Sequence, residues 1–343
     1  MDEPQEGSAA ENIDPADQRL NPPDSILLTP PQPLLESRNP TFFGPQGLRV
    51  GWRLLLYLVM WRVLRALLGI LLEKIDPHVP VKLWLDFITE LGAFVAVALP
   101  AVVMGRIEKR IFGDYGLPRR EVFGKLFWVG VVWGILAISA LVLAIGGVGD
   151  FSLGGLALHG GRILKFAAFW GAFFICVGLF EEFLLRGYAL FTLSEGIGFW
   201  PAALLLSTIF AALHYWNPGE TWIGLIAVAV IGLFFCLTLR RTGNLWFAVG
   251  FHASWDWGES YLYSVPDSGG ISPGHLLHSS FHGSRWITGG SVGPEGSVLV
   301  FVVIALTWVV FDREYPQVKY RALPSPGLLQ SREAPHPPAN WDD

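Results

Sequence analysis

Glu181, Glu182, Arg186, His214, His252 and Asp256 are the residues in this sequence that offer chemistry, because each lies inside a stretch that is otherwise oil-like. Residues 177–191 read V-G-L-F-E-E-F-L-L-R-G-Y-A-L-F within an apolar run, 163–193. That run is long enough to cross a bilayer, which takes about 20 helical residues at about 1.5 Å each. Charged groups near the centre of such a helix cost roughly 2.5–3.5 kcal/mol apiece, so they are rare there and are usually paired or functional. Glu182 and Arg186 are four apart and share a helical face, whereas Glu181 is turned about 100° away from that face. One glutamate is therefore expected to be paired, as a supporting ion pair with Arg186, and the other to be free to act as a general base.

Two further apolar runs carry ionisable groups. His214 stands in I-F-A-A-L-H-Y, and His252 and Asp256 stand four apart, hence on one face, in G-F-H-A-S-W-D-W. Counted along ideal helices from the nearest basic flank, His252 lies about 12 Å deep, Glu181 about 20 Å and His214 about 22 Å, which suits a single cavity. Amide hydrolysis needs an activated water, donors for an oxyanion and a proton for the leaving nitrogen, and one carboxylate with two imidazoles supplies all three. Glu181, His214, His252 and Asp256 are also acceptable ligands for Zn2+. Their H-x-x-x-D spacing with a lone histidine elsewhere is a weaker zinc signature than H-E-x-x-H.

The elements that must position these residues are transmembrane helices. The 343 residues are 52% hydrophobic and only 15% charged, with a mean hydropathy of +0.44 and a formal net charge of -5 carried largely by the tails. This is the composition of an integral membrane protein whose partner is the lipid bilayer, and nothing basic and aromatic in combination points to nucleic acid. Apolar runs at 50–72, 83–104, 126–145, 163–193, 199–215, 222–239, 245–263 and 298–311 predict an all-α, polytopic transmembrane bundle of about eight spans. The first run carries Arg62 and Arg65 as a basic stripe, which leaves a span and an interfacial helix both open. Residues 1–47, acidic and proline-rich, and 323–343 read as disordered tails around a bundle at 48–322.

Basic residues collect on one side. Arg106, Lys109, Arg110, Arg119, Arg120 and Lys125 flank one loop, Arg240 and Arg241 another, and Arg313, Lys319 and Arg321 follow the last span. If the spans alternate, all of these are cytoplasmic, and so are both termini. The Gly/Ser-rich loop 266–296 then lies on the opposite side, and its His275, His278 and His282 are read as solvated and remote from the cavity. Cys176 and Cys236 are expected to be buried small apolar groups, and Trp255 and Trp257 to be packing residues.

Glu181-Glu182-x-x-x-Arg186, Phe210-x-x-x-His214 and His252-x-x-x-Asp256, the last preceded by T-G-N-L-W, together resemble the three-motif signature of the CPBP (CAAX-processing and bacteriocin-processing, ABI) intramembrane endopeptidases. That family is similar to the eukaryotic type II CAAX prenyl endopeptidases. The resemblance implies a catalytic core at 161–265 in a helical bundle, with the site in a cavity open to the cytoplasm of a bacterial inner membrane. It implies hydrolysis of a membrane-associated or lipidated protein or peptide, with Glu181 and His214 activating water and His252 and the residue at 256 stabilising the oxyanion. The residue spacing favours hydrolysis with no cofactor over a zinc site. A zinc-dependent protease using the same residues is the alternative mechanism. Two alternatives lie in other classes. A proton-coupled transporter should show paired halves with broken helices, which this sequence lacks. A non-catalytic scaffold should have lost motif residues, yet every motif position is filled.

Overall fold

A computed structural model of the chain describes residues 39, 41–44, 47–74 and 82–320. The chain divides at Thr41, and of the first unit only Asn39 and Thr41 are described, joined by the Thr41 N–H donating to Asn39 Oδ1 at 2.9 Å. The C-terminal tail and nearly all of the N-terminal tail expected from composition lie outside the described residues.

Everything else belongs to the second unit, and it is helical. A short antiparallel pair, β1 (Phe43–Gly44) with β2 (Gly47–Leu48), leads into α1 (Val50–Glu73). There follow α2 (Lys82–Glu108), α3 (Lys125–Gly147), α4 (Gly161–Arg186), α5 (Tyr188–Ile197), α6 (Phe199–His214), α7 (Trp222–Thr242) and α8 (Trp246–Trp257), the last running on into a π-helix, Gly258–Tyr263. The short α9 (Arg285–Thr288) precedes α10 (Val300–Glu314). Outside the bundle, β3 (Phe151–Ser152) pairs with β4 (Ser280–Phe281). Every run expected to span is helical. Residues 50–73, 83–108, 125–147, 161–197 and 222–242 are long and apolar enough to cross a membrane.

Two features of this bundle decide where the chemistry sits. The first is a break. The apolar run 163–193 continues without interruption, yet α4 stops at Arg186, because the next residue packs where a side chain would collide with the carbonyl and ring of Phe183 and only glycine fits. Gly187 donates its N–H to Phe183 O at 3.0 Å and α5 starts afresh. Glu181 is thus about 8 Å from the end of α4. The second is the contact between α3 and α8. Gly130 and Gly134 on α3 and Gly250 on α8 bring the two backbones so close that a Cβ at any of them would strike the facing main chain. Small residues at a crossing let membrane helices pack intimately, and here they give the helix that carries His252 and Asp256 a rigid back.

The basic segments cluster at one end of the bundle. Leu245 donates to Gly116 O at 2.7 Å, Asn244 Nδ2 to Glu121 at 2.6 Å, and the N–H groups of Lys319 and Tyr320 both reach Arg240 O at 3.0 Å. A buried clasp closes the same end. Arg53 of α1 binds Glu108 of α2 at 2.7 and 2.8 Å and Glu195 of α5 at 2.5 Å, and Arg110 reaches Glu195 at 2.7 Å and Glu108 at 3.0 Å. Tyr115 and Tyr188, both fully buried, donate their hydroxyls to Glu108.

Candidate active site

A cavity of about 510 Å³ reaches into the bundle, and Glu181, His214, His252 and Asp256 all lie on its wall. They arrive from three helices: α4, α6 and α8. Glu181 has 25% of its side chain exposed there, whereas its neighbour Glu182 is at 0%. That contrast separates a carboxylate that water can reach from one that is sealed.

Glu182 holds two partners. Arg186 Nη1 donates to its Oε1 at 3.3 Å, and His252 Nδ1 lies 3.0 Å from the same oxygen. A carboxylate oxygen only accepts, so Nδ1 carries the proton and Nε2 is the nitrogen turned to the cavity. Nε2 stands 3.6 Å from Glu181 Oε2 and 3.5 Å from Asp256 Oδ2. The guanidinium of Arg186 also lies over the ring of Phe210 at 4.5 Å, which couples the first motif to the second. His214 is set by its own helix. Its Nδ1 is 2.9 Å from Phe210 O, a carbonyl that can only accept, so Nδ1 carries a proton and Nε2 is the nitrogen left for the cavity.

The link between Glu182 and His252 escaped the sequence, because helical spacing reports partners on one helix and is silent across two. Other cavity residues were missed for a plainer reason. Asp86 lies near the start of α2, and Asp267 and Glu295 stand at the two ends of the loop 266–296. The acids of the loop drew no notice because polar residues in a loop are ordinary. Asp86 had a signal, an acid inside an apolar run.

That loop corrects one expectation. It was read as remote from the cavity, but Asp267, Ser268, Gly270 and Pro273 line the cavity, so the loop forms part of its wall. The cavity also meets Leu83 and Asp86 at the start of α2, at the end of the bundle away from the basic segments. The three loop histidines stay clear of the cavity, with His275 Nδ1 on Ser272 O at 2.9 Å and His282 beside Ser152 at 3.0 Å. Trp257 is a packing residue that donates its indole N–H to Ala167 O at 3.0 Å, and Trp255 packs on Phe251 as expected while also lining the cavity. Cys176 and Cys236 are free and buried.

Burial, with help from neighbouring carboxylates, pushes the Asp267 carboxyl well above its ordinary value and Glu295 up to about 7. As ligands for zinc the motif residues have suitable atom types and two oriented imidazoles. Among the described residues, the group whose ligand atoms all fall within 4.8 Å of one another is Glu259, Asp267 and Glu295, and the motif residues do not form such a group.

Fold and cavity together define a multi-span helical membrane protein with a buried carboxylate and imidazole centre. Residues 163–258 match the family model described as Rce1-like, type II CAAX prenyl endopeptidase Rce1-like, the grouping that the three motifs resemble. The match takes in every motif residue from Glu181 to Asp256 and supports, in general terms, a CAAX-protease-like intramembrane endopeptidase, a hydrolase of the membrane. No curated protein and no solved structure matches the chain.

Proposed function

We propose that the protein hydrolyses a peptide bond of a membrane-associated or lipidated protein or peptide, with water activated by Glu181. The observation that carries this reading is the split between the two adjacent glutamates, Glu181 facing the cavity 3.6 Å from His252 Nε2 and Glu182 sealed behind it. Glu181 takes a proton from water, helped by the free Nε2 of His214, as the oxygen attacks the scissile carbonyl. His252, fixed by Glu182 at Nδ1 and flanked by Asp256, donates from a protonated Nε2 to the developing oxyanion. The proton held on Glu181 then passes to the leaving nitrogen. Catalysis without zinc is favoured by the failure of the motif atoms to converge on one point.

The test is hydrolysis of internally quenched peptides, prenylated and unprenylated, by purified protein in liposomes. Activity should survive 1,10-phenanthroline, which strips zinc and leaves hard cations. Loss that only zinc restores would replace this mechanism with the metal-dependent one.

The basic end is assigned to the cytoplasm by its charge, so both termini are cytoplasmic and the cavity mouth is extracytoplasmic. A membrane-impermeant maleimide applied to whole cells should label Ser280→Cys on the mouth side and spare Arg120→Cys until the membrane is opened. Both positions are exposed, while the native cysteines are buried. The reverse labelling pattern would turn the molecule over and put the mouth in the cytoplasm.

A further inference from the structure

Beyond the hydrolytic residues, a second polar centre is built beside the cavity, whose lining includes Asp267 and Glu295. Glu259 stands in the π-helix three residues past Asp256, Asp267 opens the loop 266–296, and Glu295 closes it. Carboxylate oxygens of all three lie within 4.8 Å of one another. Asp267 accepts from Ser260 Oγ at 3.0 Å, and Glu295 accepts from the Ser268 N–H at 2.8 Å. Glu259 has no such relief. It is 0% exposed, and neither of its carboxylate oxygens has a hydrogen-bond partner. The Trp255 side chain comes near it without the geometry of a hydrogen bond.

A buried carboxylate with no donor carries a large desolvation cost, and two more carboxylates beside it add repulsion. None of the ion pairs among the described residues includes any of the three. What would relieve all of this is one positive charge at their centre. The donors are all hard oxygens, with no nitrogen or sulfur, which selects Ca2+ or Mg2+ over zinc.

We propose that Glu259, Asp267 and Glu295 bind one hard divalent cation, which clips both ends of the 266–296 loop to the end of the helix bearing His252 and Asp256. The three share no residue with the hydrolytic set, although Asp267 and Glu295 line the same cavity. Its role is to hold the loop as a fixed wall of the cavity.

Tb3+ is a suitable probe, since it takes oxygen ligands and is sensitised by a nearby indole, here Trp255. Full-length protein in detergent, stripped with EDTA, should show saturable Tb3+ luminescence that Ca2+ or Mg2+ displaces. The double variant Asp267→Asn, Glu295→Gln should weaken that binding at least ten-fold, and Glu181→Gln should leave it unchanged. Absence of saturable binding at millimolar Ca2+ would overturn the proposal, and so would equal binding by the double variant. Should that variant fail to fold, hydrogen exchange of the wild-type protein decides: Ca2+ must slow exchange across 266–296 relative to EDTA, and identical exchange would overturn the proposal.

Discussion

Glu181→Gln is expected to cut peptide hydrolysis by about 10²–10⁴-fold, the range lost with a general base, and to leave the folded protein intact. The substitution keeps shape and polarity at a position open to the cavity, where no salt bridge to arginine or lysine depends on the carboxylate. Packing should therefore hardly notice it. Asp256→Asn is the informative contrast. Asp256 Oδ2 faces His252 Nε2 at 3.5 Å, and an amide there still offers an acceptor while adding a donor for an oxyanion. That variant should retain substantial activity. Should it prove as dead as Glu181→Gln while still folded, the carboxylate at 256 would be required in its own right, and Asp256 would be a second acid or base of the reaction.

Glu182→Gln should behave in the opposite way, losing stability before activity can be compared. Its carboxylate and Arg186 are both at 0% exposure, and breaking one side of a buried pair typically costs about 3–5 kcal/mol because the surviving charge stays buried. The same oxygen also fixes the His252 ring, so any protein that does fold should have its imidazole less firmly set. Thermal unfolding in detergent, followed by tryptophan fluorescence, measures the difference between the two glutamine variants. If both lose folded protein equally, the division of labour between the adjacent glutamates is wrong.

The helices were legible in the sequence because oil demands long apolar runs, and the motif residues were legible because oil makes every charge conspicuous. Partnership within one helix could also be read: the pairing of Glu182 with Arg186 is a matter of spacing. What could not be read depended on neighbours brought in by folding. Gly187 hides a helix end inside a continuous apolar run, since its tight seat against Phe183 exists only once the chain has turned. The Glu182 to His252 contact joins residues 70 apart, and no periodicity records it. Asp267 and Glu295 looked like ordinary loop acids until the loop was seen to fold over the cavity.

The clasp of Arg53, Glu108, Arg110 and Glu195 has a consequence for the membrane as an electrical barrier. A wet shaft driven far into a bilayer invites protons and ions to leak down their gradients, and any hydrolase that admits water to a buried peptide bond runs that risk. At the basic end Tyr57, Tyr115, Phe183 and Tyr188 are all at 0% exposure in the core, and Glu108 of the clasp accepts from Tyr115 and Tyr188. None of these four residues lines the cavity. Liposomes holding the protein under an imposed proton gradient should therefore discharge no faster than empty ones, and Arg53→Ala, which breaks the clasp, should make them leak.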